Sequence, residues 1–238
     1  MTPPAPLDPQ FALEGPLETH AFPETLTARV VTPGSQPRIH GYDVEADLAH
    51  HYDPTELLFL ALTGELPTAG AAAALRVALA FFAPVSVAHA SVHAAALARL
   101  CGTTTASIVG VAAIGLSEQV RVLLDEHAEL FAWLKTPTGA LPARYRASGT
   151  ADRESTKRLG AALEASGLEV RALTEDPTRD AALLSVLFAC GLARRDQLEA
   201  AIVTARLPSA VAEALSENVV DFAHYPINLP RYRYEEGP

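Results

Sequence analysis

Charged side chains set among apolar neighbours are the first candidates for chemistry, and Arg206 is one of them. The run AIVTARLPSAV surrounds its guanidinium with aliphatic residues. An arginine there needs a partner, and a carboxylate would suit its planar fork. Asp180 lies in PTRDAALL, in what reads as the first turn of a helix. A carboxylate so placed can act as a base, or it can simply complement the helix dipole. His89 and His93 follow one another in HASVHAAAL. Each could contact a ligand, or sit near a helix start satisfied by backbone or water. Arg144, Arg146, Arg153, Lys157 and Arg158 crowd one loop–helix junction. Phosphate binding and a solvated surface are the two readings of such a stretch.

The elements that must position these groups read as almost wholly helical. The one strand signal is TLTARVV, followed by a Pro33-Gly34 turn and RIHGYD, a small hairpin. Asp53 is a good N-cap, Pro54 suits the first helical position, and Glu56 can reach back to complete the box. Gly64 and Pro67 end that helix, and Thr68 caps the next, which stops before Pro84. A short helix through His93 to Leu100 ends at Gly102. A long helix is expected from Thr105 to Lys135, with Gly110 and Gly115 allowing close helix approach. The segment PTGALPARYRASGTADRES reads as loop, and KRLGAALEASG as a short helix. Asp176-Pro177 reads as a cap followed by a first helical proline, opening a helix that ends at Gly191. Two further helices are expected, divided at Pro208.

Composition bounds the function. The chain has 238 residues, 49% hydrophobic, with a formal net charge of −10. No concentrated basic face is visible to bind nucleic acid. Cys101 and Cys190 form no CxxC pair and read as buried thiols in a reducing compartment. The start MTPPAPLDPQ lacks the basic and apolar regions of a secretory signal, and no apolar run reads as long enough to cross a membrane, so a cytoplasmic protein is expected.

Several segments, in order, resemble the citrate synthase family, which includes short citryl-CoA lyase-like members. RIHGYDVEADLAHHYDPTELLFLALTGELPT is similar to that family's N-terminal run, with its GYD turn and GELPT ending. SVHAAALARLCG with ASIVGVAAIGL resembles its Ala-rich helix pair. PTRDAALLSVLFACGL looks like its PNVD helix, Arg206 to Glu217 like its arginine-bearing helix, and LPRYRY like its RPRxxY tail. The resemblance implies an all-α, citrate synthase-like fold. Residues 1–22 would form an arm, 23–135 and 192–238 a large helical domain, and 136–191 a reduced small domain. It also implies a dimer.

That family makes or breaks a C–C bond between an acyl-CoA and oxaloacetate. Carried over position by position, the resemblance makes Asp180 the catalytic base. It makes His89, His93, Arg206 and Arg231 substrate contacts. Arg144 and Arg146 would meet the phosphates of coenzyme A, which would be a substrate; no bound cofactor and no metal are expected. Two catalytic histidines are absent from their places. The first falls on Arg121 or Val122 in SEQVRVLL, which keeps no glycine and reads as continuous helix. The nearby His127 reads as solvated on a charged helical face. The second falls on Pro142 or Ala143 in LPARYRASG, where Arg144 and Tyr145 are retained. In the tail, Leu229 stands where the family keeps the arginine it uses across the dimer.

The expected function is therefore a citrate synthase-like protein of impaired activity. It would bind a 2-oxo acid or acyl-CoA, or serve as a partner subunit in a homodimer or beside an active homologue. The alternative is an active, divergent citrate synthase or citryl-CoA lyase.

Overall fold

Local chemistry starts the helical body at Asp53. Its side chain accepts from the backbone N–H groups of Thr55 and Glu56, while Glu56 accepts from the N–H of Asp53, so the expected capping box is complete. The computed structural model describes residues 25–136, 138–219 and 231–233. The expected arm and most of the tail lie outside them.

Three two-residue strands come first: β1 Val31–Thr32, β2 Arg38–Ile39 and β3 Tyr42–Asp43, paired antiparallel in that order. The hairpin across Pro33-Gly34 is present, and His40-Gly41 turns the chain into a third strand, both with positive φ. A π-helical turn over 44–48 leads into α1 Ala49–His51, then α2 Pro54–Thr63. Gly64, at φ 85°, caps α2 as expected. Thr68 caps α3 Ala69–Phe82, and α4 spans Ala90–Leu100. Next come α5 Thr105–Glu126, α6 Ala128–Lys135, α7 Thr150–Leu163, α8 Arg179–Ala189 and α9 Arg195–Ser216.

Helix α8 runs through the centre of the main core. Ala181 to Leu187 are all fully buried, and Ser185 satisfies its hydroxyl on the Ala181 carbonyl. α3, α6 and α7 pack around it. This core runs from Phe59 in α2 through Leu159 in α7 to Leu198 in α9. The boundaries expected near residues 135 and 192 do not coincide with separate cores. A second, smaller cluster joins α4, the first half of α5 and the end of α9 through Val92, Ala95, Ile108, Ala112, Leu116, Ala210 and Ala214.

Four local expectations are corrected. The long helix is broken at His127 into α5 and α6. Asp176 is not an N-cap: it adopts φ 52°, its carboxylate pairs with Arg153, and Thr178 caps α8 instead. Pro208 does not divide two helices but lies inside α9. A helix-interior proline costs about 3 kcal/mol, and here the contacts of α9 with α3, α4 and α5 offset it. Helix α7 begins at Thr150, inside the expected loop. Moreover, α5 is long and apolar enough to cross a membrane by length and composition, contrary to the sequence reading. In this fold its stripe Ile108, Ala112, Leu116, Val120, Leu124 lies in the two cores.

Candidate functional site

The N-terminus of α8 places Asp180. The hydroxyl of Thr178 accepts from the N–H of Ala181, and the N–H of Arg179 donates to Asp152 Oδ1 at 3.2 Å. Residues 145–147 run beside 176–178: Thr178 N–H donates to the Tyr145 carbonyl at 2.7 Å, and Ala147 N–H to the Asp176 carbonyl at 2.8 Å. This strap fixes where the α8 terminus sits.

Around Asp180 the charges converge on the end of α3. Arg179 Nη1 approaches Asp180 Oδ1 at 3.3 Å, and its Nη2 donates to the Phe81 carbonyl at 2.6 Å. Arg206 lies over the Phe82 ring, 5.5 Å from its centroid, and its Nε donates to the Phe82 carbonyl at 3.4 Å. Ser209 donates to the Ala83 carbonyl. The carbonyls left unpaired where α3 ends are therefore satisfied by two guanidinium groups and a hydroxyl from other helices. Burial pulls the pKa of Arg206 below its ordinary value; Asp180 opposes that shift and Arg179 adds to it. Arg206 thus has the anionic neighbour its apolar setting requires.

A cavity of about 580 Å³ opens beside this cluster, lined by His127, Arg144, Tyr145, Asp152, Arg179 and Asp180 among others. His127 is only 8% exposed, so it is not the solvated residue expected from sequence. Its Nδ1 lies 2.8 Å from the Leu123 carbonyl. A carbonyl only accepts, so Nδ1 carries the hydrogen and Nε2 of the neutral ring is left as an acceptor. The Tyr145 ring stacks on His127 with centroids 5.2 Å apart. The Tyr145 hydroxyl donates to the Glu126 carbonyl at 3.0 Å, and Arg144 donates to the same oxygen while its guanidinium sits 4.9 Å above the Tyr145 ring. The Glu126 carbonyl is thereby engaged from outside the helix, which explains why the helix breaks there. The break turns His127 inward.

The residues singled out in the sequence do not form one site. Asp180 and Arg144 line this cavity, with Arg206 beside it. His93 and Arg231 come together in a second cavity of about 540 Å³, between α4 and the end of α9. His89 precedes α4 with its Nδ1 3.3 Å from the Ser86 carbonyl. Arg146 turns to the Leu141 carbonyl and Glu175. The other arginines of the basic junction are also paired: Arg144 with Glu129, Arg153 with Asp176 and Arg158 with Glu154.

No protein-family model matches the chain, and no curated protein matches it. Solved structures do, among them that of citryl-CoA lyase from Hydrogenobacter thermophilus. The match has a TM-score of 0.60 and covers 86% of this chain and 97% of that one, at 17% sequence identity. The chain has the citryl-CoA lyase fold. That agrees with the all-α, citrate synthase-like architecture expected from the GYD, GELPT and PTRD segments. Within the citryl-CoA lyase fold, Asp180 and Arg206 are neighbours despite lying on different helices.

Proposed function

We propose that the chain is a citrate synthase-like protein that binds a carboxylate-bearing 2-oxo acid or acyl-CoA beside the α8 terminus, and that it turns over citrate or citryl-CoA weakly or not at all. The observation that carries the reading is the convergence of Asp180, Arg179 and Arg206 at the end of α3, beside a cavity that Asp180 and Arg179 line together with His127 and Arg144. Two guanidinium groups can hold a ligand carboxylate by charge-assisted hydrogen bonds. The weak turnover follows from two features. The positions of both family histidines hold other residues, and each positioned acid or base is worth roughly 10²- to 10⁴-fold in rate. In addition, Arg179 replaces the valine of PNVD, and its guanidinium already engages an oxygen of Asp180. Pairing with a second copy, or with an active homologue, belongs to the same reading.

Isothermal titration with oxaloacetate, citrate and acetyl-CoA tests the binding. At least one should bind, and Arg206→Gln should weaken it about tenfold or more. Silence from all three at millimolar concentration would defeat the reading.

His127 favours a second reading, an active divergent lyase or synthase. An imidazole with Nδ1 fixed by a carbonyl can use Nε2 to polarise or protonate a substrate oxygen. Turnover that scales with protein and disappears in both His127→Ala and Asp180→Ala would establish that reading over the first.

A further inference from the structure

The fold engages one ring nitrogen of His127 and leaves the other. Nδ1 donates to the Leu123 carbonyl at 2.8 Å, so the neutral ring carries no hydrogen on Nε2. That bond and the Tyr145 ring, stacked at 5.2 Å, together fix how the imidazole lies. Nε2 has no hydrogen-bond partner among the described residues, yet it is not sealed in. The fully enclosed side-chain nitrogen that lacks a partner among those residues is Trp133 Nε1. Although His127 is largely buried, its Nε2 is therefore open, and the space beside the ring is the cavity of about 580 Å³. The neighbours do not supply the missing hydrogen. Tyr145 gives its own to the Glu126 carbonyl, and the carboxylates of Asp152 and Asp180 are themselves acceptors. A lone pair held in so buried a ring accepts a hydrogen well and faces another lone pair at a cost.

We propose that His127 Nε2 makes this cavity rank hydroxy acids above the matching 2-oxo acids, so that the ligand it holds best is a 2-hydroxycarboxylate. The inference rests on the reading that a ligand carboxylate binds beside the α8 terminus, and it says which ligands of that kind bind tightest. The carboxylate lies against the guanidinium groups that line the cavity, and the hydroxyl donates to Nε2. A 2-oxo acid of the same length offers the same carboxylates. Its ketone oxygen, however, can only accept, and no hydrogen lies between it and Nε2. The ranking belongs to the neutral ring, since an imidazolium donates from both nitrogens.

Titration calorimetry with D-malate, L-malate, oxaloacetate and succinate provides the test, at about pH 8.5, above the range in which imidazoles ordinarily change charge. One malate enantiomer should bind about tenfold more tightly than oxaloacetate or better. It should also outbind succinate, which has both carboxylates and neither the hydroxyl nor the ketone. Two variants remove Nε2 in different ways. His127→Asn keeps an amide hydrogen for the Leu123 carbonyl, and His127→Phe keeps a ring against Tyr145. Each should bring malate to within about twofold of oxaloacetate without weakening oxaloacetate, and a circular dichroism melt confirms that each is folded. The ranking in the unaltered chain needs neither variant. Oxaloacetate or succinate binding as tightly as malate would overturn this inference and leave the carboxylate reading standing. A preference for malate that survives in a folded variant would also overturn it, because the acceptor would then lie elsewhere. Silence from all four at millimolar concentration would overturn the carboxylate reading, and this inference with it.

Discussion

The helix at the centre of the main core and the helix that carries the second cluster solve burial differently. α8 has no wet face over Ala181 to Leu187: every side chain there is internal. α5 buries one stripe but leaves Val111, Val122 and Ile114 at 37%, 50% and 70% exposure. Its two glycines show the same division. A β-carbon on Gly115 would lie 2.8 Å from the Ser91 β-carbon and 2.9 Å from its α-carbon, whereas one on Gly110 would meet nothing within 4 Å. One region is complete within the chain. The other has a finished inner face and an apolar outer face that invites a cover. The small residues expected from sequence to serve one seam thus serve two: Gly115 allows α4 to approach α5 inside the chain, and Gly110 lies on open surface.

Four experiments sharpen or break that contrast. The largest effect is expected in the finished core. Leu184→Ala should cost about 2–5 kcal/mol in urea denaturation, from lost burial plus the cavity left behind. A loss under about 1 kcal/mol would mean that α8 is not held as tightly as its burial indicates. The glycines come next. Gly115→Ala must push α4 backbone away and should cost about 1–3 kcal/mol, while Gly110→Ala should stabilise slightly, by about 0.5–1 kcal/mol, through helix propensity. Similar effects at both positions would erase the contrast. Third, the outer face should hold a second copy. Light scattering should give twice the 25.2 kDa of one chain, and Ile114→Asp should return the single-chain mass with a stability change within about 0.5 kcal/mol. A wild-type mass of 25.2 kDa would break this prediction. The smallest effect is at the two thiols. Cys190, buried at the end of α8, has its pKa pushed up to about 12 by desolvation, while Cys101, after α4, is exposed. Because burial favours the neutral thiol, Cys190 stays protonated and inert through pH 9. The folded chain should yield one thiol to a disulfide reagent and the unfolded chain two.

What was legible in the sequence was what neighbours in the chain decide. Asp53, Pro54 and Glu56 cap α2 with atoms no more than three residues apart, and Gly64 ends it with its own backbone. The break at His127 was hidden because its cause lies elsewhere in the chain. Tyr145 and Arg144 reach back 19 and 18 residues to the Glu126 carbonyl, and nothing in the helical period around His127 records that. Asp176 failed as a cap for the same reason, since Arg153, 23 residues earlier, holds its carboxylate. Pro208 was overruled by the packing of α9. The site divides in the same way. The PTRD segment and the arginine of AIVTARLPSAV led to Asp180 and Arg206, which the fold makes neighbours. His93 and Arg231 matched the same resemblance yet share a different cavity, because helix packing, not order along the chain, decides which side chains meet.

The arginines that close the end of α3 make that helix a competitor for any ligand at the Asp180 cavity. A bound carboxylate that drew the Arg179 guanidinium away from α3 would leave the Phe81 carbonyl unpaired. Occupancy would therefore be reported at a distance, as fraying of the last turn of α3 and faster exchange of its amide hydrogens. The affinity of the cavity would be set by how firmly that turn holds on.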